Sequence, residues 1–407
     1  MTERSCRGGV LAPPFKRLTC QFKRLAWTAA MVALSTVATP LPSAAATGRD
    51  LNLQVRWHKQ LGAKPSEAWK PRETAQPILS PKGSLLFFSV PEGLAAYTRK
   101  TGEIRWQVTT PERVVGTPVL SKSRLFAATL DGQVLALDAN SGKLVWPAVT
   151  RLGVTIRGPL AADDRHVYVP ADPPSVTALD RKTGQPSWRW TASVDRPFTV
   201  EGQSGVVLVG DLAVFGTATG KVVAVSARDG GLTWETVLED PSRSPYGDVD
   251  QTPLVVPRAK GEPWIVAASQ SGGVYAMASA DGKVFWHYAD EALGTPYLMG
   301  DKLVLLSSLG RLLVLQLEDG KVVQQSLLPC APSGHLTPIA GDLALIPHEA
   351  GLDVLDWRHG VLRSRLATEV GFAAAPLLYD GMAYALSNAG QLYALDVRIQ
   401  PTLLDPM

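Results

Sequence analysis

Cysteine is scarce in this chain: three occur in 407 residues, Cys6, Cys20 and Cys330. The first two precede an apolar run near the N-terminus, so a processed chain would retain one thiol and no internal disulfide is expected. No adjacent Cys-Cys pair occurs, and no C-x-x-C-H haem-attachment motif. Excess charge of one sign is missing too. Forty Lys and Arg stand against 37 Asp and Glu, a formal net charge of +3, and part of that excess lies in the N-terminal segment. Without a basic stripe to neutralise phosphates, nucleic acid is not an expected partner. The six histidines, His58, His166, His287, His335, His348 and His359, are scattered and make no H-E-x-x-H or other paired ligand spacing. There is no G-x-S-x-G elbow and no phosphate-binding loop. No catalytic residue, cofactor or metal ligand is therefore expected.

A long hydrophobic run is also lacking. The most apolar stretch, Leu25 to Val37, is short for a membrane span and is closed by Pro40 and Pro42. Lys16, Arg17, Lys23 and Arg24 precede it, and the small residues Ser43-Ala44-Ala45-Ala46-Thr47-Gly48 follow. That order predicts a signal peptide over 1–46, cut after Ala46, and an exported domain over 47–407. A retained signal anchor is the alternative, and the long basic region leaves room for a start codon downstream of Met1. No cysteine follows the apolar run where a bacterial lipoprotein would be acylated, so no lipid anchor is expected.

What the chain does contain is a repeat. A segment of the form A-L-D-x-x-x-G-x-x-x-W appears as ALDANSGKLVW (Ala136 to Trp146), ALDRKTGQPSW (Ala178 to Trp188), AVSARDGGLTW (Ala224 to Trp234), AMASADGKVFW (Ala276 to Trp286) and AAYTRKTGEIRW (Ala95 to Trp106). Two further copies, VLQLEDGKVVQ and VLDWRHGVLRS, keep the glycine and lose the tryptophan. The turn glycines Gly102, Gly142, Gly184, Gly230, Gly282, Gly320 and Gly360 are 40, 42, 46, 52, 38 and 40 residues apart. A period of this length marks a solenoid or a propeller.

Within a unit, apolar residues alternate with period two, the mark of short strands. In the second unit Thr117 to Leu120, Leu125 to Thr129, Gln133 to Asp138 and Lys143 to Trp146 read as four strands, with Asp131-Gly132 as a hairpin turn. Four antiparallel strands per unit make a propeller blade. An eighth unit reaches Asp396 without a fourth strand of its own, and Leu51 to Leu61 alternates like one, with Trp57 in the tryptophan position. The fold class expected is therefore all-β, an eight-bladed propeller closed by pairing an N-terminal strand with the last blade. Gly serves the turns, Asp138, Asp180 and Asp396 are expected to bond turn amides, and Trp to pack on the next blade. The pairs Thr117-Pro118, Thr252-Pro253, Thr295-Pro296 and Thr337-Pro338 fall where each innermost strand begins, a position that tolerates proline.

These segments resemble the quinoprotein, or PQQ-like, propeller repeat, over essentially the whole chain after the leader. Two families share it. A likeness to quinoprotein alcohol and glucose dehydrogenases would imply a quinone over a tryptophan floor, in many members an adjacent-cysteine disulfide, and calcium on Glu, Asn and Asp. The chain is short for that group and has no Cys-Cys pair. The other resemblance is to BamB, the propeller subunit of the outer-membrane β-barrel assembly machinery. Gly247-Asp248-Val249-Asp250-Gln251-Thr252-Pro253 is similar to that family's D-V-D-x-T-P segment, in the connection entering the fifth blade. Phe198-Thr199-Val200-Glu201-Gly202-Gln203-Ser204 resembles its apolar-x-apolar-Arg-Gly-Glu-Ser loop entering the blade before.

This second resemblance implies a non-enzymatic periplasmic scaffold, held at the outer membrane by its partner and assisting insertion of nascent outer-membrane proteins. It implies that Phe198, Val200, Asp248 and Asp250 bind a periplasmic domain of the barrel-forming subunit. Glu201 stands where the family has arginine, a charge reversal at the same surface. A scaffold of another envelope complex is the third reading. The longest insertions, Glu239 to Asp250 and Pro257 to Pro263, gather around the expected partner site.

Overall fold

The structure is a computed structural model and describes residues 53–61, 75–192, 203–238, 248–290 and 293–397. All of them belong to the unit Gly48–Met407. The expected signal peptide, and with it Cys6 and Cys20, lies outside the described residues.

Eight four-stranded antiparallel sheets follow one another along the chain. Blades 1 to 7 span 78–109, 114–151, 161–191, 206–237, 254–288, 297–327 and 337–367. Blade 8 takes three strands from 377–396 and its fourth, Gln54–Gln60, from the other end of the chain. Gln54–Gln60 runs antiparallel to Gln391–Asp396, so the expected closure is the one formed. First strands touch from blade to blade among blades 1 to 5 and between blades 7 and 8, which sets them around the axis and leaves the fourth strands outermost.

Burial explains the pattern within each unit. The second and third strands of a blade are enclosed by its neighbours on both faces, so Leu85–Val90 and Gly93–Thr98 are buried almost throughout. Period two survives in the outer strands. In Ile104–Thr109, Trp106 is buried between the exposed Arg105 and Gln107.

The repeated Trp and Gly belong to one contact between blades. Trp106, Trp188, Trp234 and Trp286 pair with Ala96, Ala178, Ala224 and Ala276, each followed by a bulge that turns the ring toward the next blade. There the ring lies on that blade's turn glycine. A Cβ on Gly142 would sit 2.7 Å from the Trp106 ring, and at φ 68° the position already disfavours any other residue. Trp106 Nε1 then donates to Ala139 O at 3.1 Å, and Trp146, Trp188, Trp234 and Trp286 donate likewise to Arg181, Ala227, Ser279 and Leu317. Trp57 packs against Gly102 and carries the contact across the closure.

Three local expectations are corrected or refined. The fourth strand of blade 2 is Thr150–Arg151, not Lys143 to Trp146. Leu144 makes an isolated bridge to Leu137, and Pro147 supplies no amide to continue the ladder. Asp138 and Asp180 accept turn amides, from Ser141 and from Lys182 and Thr183. Asp396 instead accepts the Arg56 guanidinium, Nε to Oδ2 at 3.1 Å, and so ties the closing strand. The Thr-Pro threonines join blade entries: Thr117 Oγ1 accepts Gln76 N, Thr252 Oγ1 accepts Gly205 N, and Thr337 Oγ1 donates to Pro376 O.

Candidate functional site at the entries to blades 4 and 5

Phe198, Val200 and Glu201 lie outside the described residues, but the end of their segment is described. Gln203 Oε1 accepts the amides of Arg157 and Gly158, both at 3.0 Å, fixing the entry to blade 4 against the entry to blade 3. Ser204 Oγ accepts Gly216 N at 2.9 Å and lies 3.2 Å from Gln251 O, as its donor. With the 3.0 Å bond from Gly205 N to Thr252 Oγ1, this stitches the two expected partner segments together.

The Asp248–Thr252 segment lies directly on the blade 4 hairpin. Val249 N donates to Thr217 O at 3.0 Å, and Asp248 O accepts Gln270 N at 3.0 Å. The approach is close enough that a Cβ on Gly216 would meet Val249 O at 2.2 Å, so glycine is required there for space. Val249 is buried in the apolar cluster between blades 4 and 5, and this sets the flanking carboxylates. Asp248 is 1% exposed, Asp250 half-buried.

Both carboxylates line a cavity of about 310 Å³. Its wall includes Trp190 and Phe215, whose rings meet edge-on with centroids 5.0 Å apart, and its polar lining includes Arg157, Asp172, Gln203 and Ser204. Asp250 Oδ2 accepts Gln270 Nε2 at 2.9 Å, while Oδ1 is buried with no hydrogen-bond partner. Burial pushes the Asp250 carboxyl above the usual carboxylate range, against the bond from Gln270. On the other side of Gln251 and Gln270 a smaller hollow of about 160 Å³ holds His335. His335 is exposed there.

Of the residues lining the cavity, the local D-V-D motif marks Asp248 and Asp250, whereas Arg157, Asp172, Trp190 and Phe215 carry no local signal. Those four come from blades 3 and 4, and nothing local in the sequence joins them to the D-V-D segment. His348, one of six scattered histidines in the sequence, is set by the fold beside Cys330 and Asp353.

The ring of tryptophan-docked blades and the rim cavity define the class: an eight-bladed propeller of the PQQ-like repeat type. A family model described as outer membrane protein assembly factor BamB matches residues 44–158 and 93–326, and the chain belongs to that family. Among curated relatives of that name, the Escherichia coli K12 protein is 23% identical over 343 residues, covering 68% of this chain and 83% of its own length. The Burkholderia pseudomallei protein is 28% identical over 234 residues, 54% of this chain and 58% of its own. Among solved structures, BamB from Moraxella catarrhalis superposes with a TM-score of 0.68 at 19% identity, over 85% of this chain and all of that one. A europium-containing methanol dehydrogenase reaches 0.67 at 14% identity, over 84% and 93%. At such identities these likenesses establish the fold alone.

Proposed function

We propose that this chain is a non-enzymatic scaffold of the outer-membrane protein assembly machinery, exported by a cleaved leader over 1–46 and held at the outer membrane through its partner. The partner is a periplasmic domain of the barrel-forming subunit. Docking uses the entries to blades 4 and 5, with Phe198 and Val200 as apolar anchors and Asp250 as the acidic group offered to a basic side chain. Asp248, being buried, lines the cavity, and Glu201 replaces the family's arginine with a charge of the opposite sign. The observation that carries this reading is the joining of two distant segments through Ser204–Gln251 and Gly205–Thr252 into one cavity, with one Asp250 oxygen left without a bond. Family membership supports the assembly role.

Affinity capture from envelope extract, read by mass spectrometry, tests the partner. The barrel-forming subunit is expected as the enriched protein. Its absence while other envelope proteins are retained reproducibly would replace this reading with a scaffold of a different complex.

A further inference from the structure

In blade 7 the second strand, Leu343–His348, ends on His348, and the third, Gly351–Asp356, carries Asp353. Asp353 sits opposite Arg365 of the outer strand Val361–Ala367. Cys330 arrives from elsewhere, on the connection from blade 6. That connection is held to the strand end by a bridge between Pro332 and His348 and by Ser333 N donating to Pro347 O at 3.0 Å. One donor atom from each of Cys330, His348 and Asp353 lies within 4.8 Å of the others. His348 is 1% exposed and Asp353 3%, while the thiol is partly open to solvent.

A buried ion pair alone does not account for this cluster. Arg365 satisfies Asp353, Nε to Oδ1 at 2.6 Å and Nη2 to Oδ2 at 2.8 Å, and its Nη2 reaches Cys330 Sγ at 3.2 Å. His348 Nε2 is left over. It points into the cluster 3.2 Å from Asp353 Oδ1 but off the direction of a hydrogen bond, and this buried atom has no hydrogen-bond partner.

We propose that Cys330, His348 and Asp353 bind a thiophilic divalent cation, with zinc as the best match. Thiolate sulfur, imidazole nitrogen and carboxylate oxygen form a mixed donor set that zinc accepts, and three protein ligands leave a fourth position on the open side of Cys330. Arg365 acts as the outer partner that orients the carboxylate. Loading removes the thiol proton. It also moves the ring proton from Nε2 to Nδ1, giving up the 3.2 Å bond that Ala350 N donates to Nδ1. The bound ion fastens the blade 6 to blade 7 connection onto the blade 7 hairpin. The site is on different blades from the docking cavity and stands independently of the proposed function.

Chelator-treated mature protein titrated with Co²⁺ tests the site. One equivalent is expected to bind with a thiolate charge-transfer band and tetrahedral visible bands, and Zn²⁺ should displace it. His348→Gln removes a ligand and should weaken uptake at least about tenfold, the lower end of what losing even an outer partner costs. Because His348 is buried and its replacement affects folding, Cys330→Ser at the partly open position is the second variant. It should lose the band and bind at least tenfold more weakly while its melting curve stays that of the wild-type apoprotein. Folded wild-type protein without a thiolate band, or a folded Cys330→Ser variant with wild-type Co²⁺ affinity, would overturn the proposal.

Discussion

Asp250 keeps one carboxylate oxygen on Gln270 and the other buried without a partner, and desolvation raises its carboxyl above the unfolded value. The folded state therefore holds this proton more tightly than the unfolded chain does. Its contribution to stability is fully present below the unfolded pKa and is lost as pH rises through the folded one. At neutral pH the ionised group costs stability. Asp250→Asn retains an acceptor for Gln270, so it should stabilise the protein by about 1 kcal/mol at pH 7. That gain should vanish below about pH 4. Thermal melts of both proteins at the two pH values check this, and an equal or lower melting temperature for Asp250→Asn at pH 7 would contradict it. A carboxylate retained at the expense of stability fits a docking role, because stability and function commonly trade at such positions.

The tryptophan-on-glycine contact makes each blade dependent on the next. Gly142→Ala places a methyl 2.7 Å from the Trp106 ring at a φ of 68°, so both the backbone and the packing oppose it. A loss of about 2 to 4 kcal/mol is expected in urea unfolding. Trp106→Phe keeps most of the apolar plate and forfeits the 3.1 Å bond to Ala139 O, for about 1 to 2 kcal/mol. If the glycine variant proved the milder of the two, the contact would be misdescribed. The repeat was legible in the sequence because Asp138, Gly142 and Trp146 recur within one short segment, although each tryptophan docks on the glycine of the following blade, Trp106 on Gly142 and Trp146 on Gly184. Thr150–Arg151 was not legible, since Pro147 displaces the ladder past the tryptophan that marks the repeat. Of the cavity at the entries to blades 4 and 5, the two sequence segments supply Gln203, Ser204, Asp248, Val249 and Asp250. Arg157 and Trp190 reach the same cavity from blade 3, and Cys330 meets His348 and Asp353 across a blade connection, through packing that no short motif encodes.

For the whole molecule, closure rests on Gln54–Gln60, its pairing with Gln391–Asp396, the Arg56 to Asp396 ion pair and Trp57 on Gly102. Removing 53–61 would open blade 8 and expose its third strand as a new edge. The expected result is a protein that melts at least 5 °C lower and self-associates, measured by calorimetry and light scattering. A closed ring holds the entries to blades 4 and 5 in fixed register, and on this account that rigidity presents the cavity to a partner. The most direct test is calorimetric titration of the mature chain with the periplasmic domain of the barrel-forming subunit. Binding is expected for the wild type, weakened at least tenfold, about 1.4 kcal/mol, by Asp250→Arg with the fold retained. No binding by the wild type, or equal affinity in a folded Asp250→Arg variant, would contradict the account.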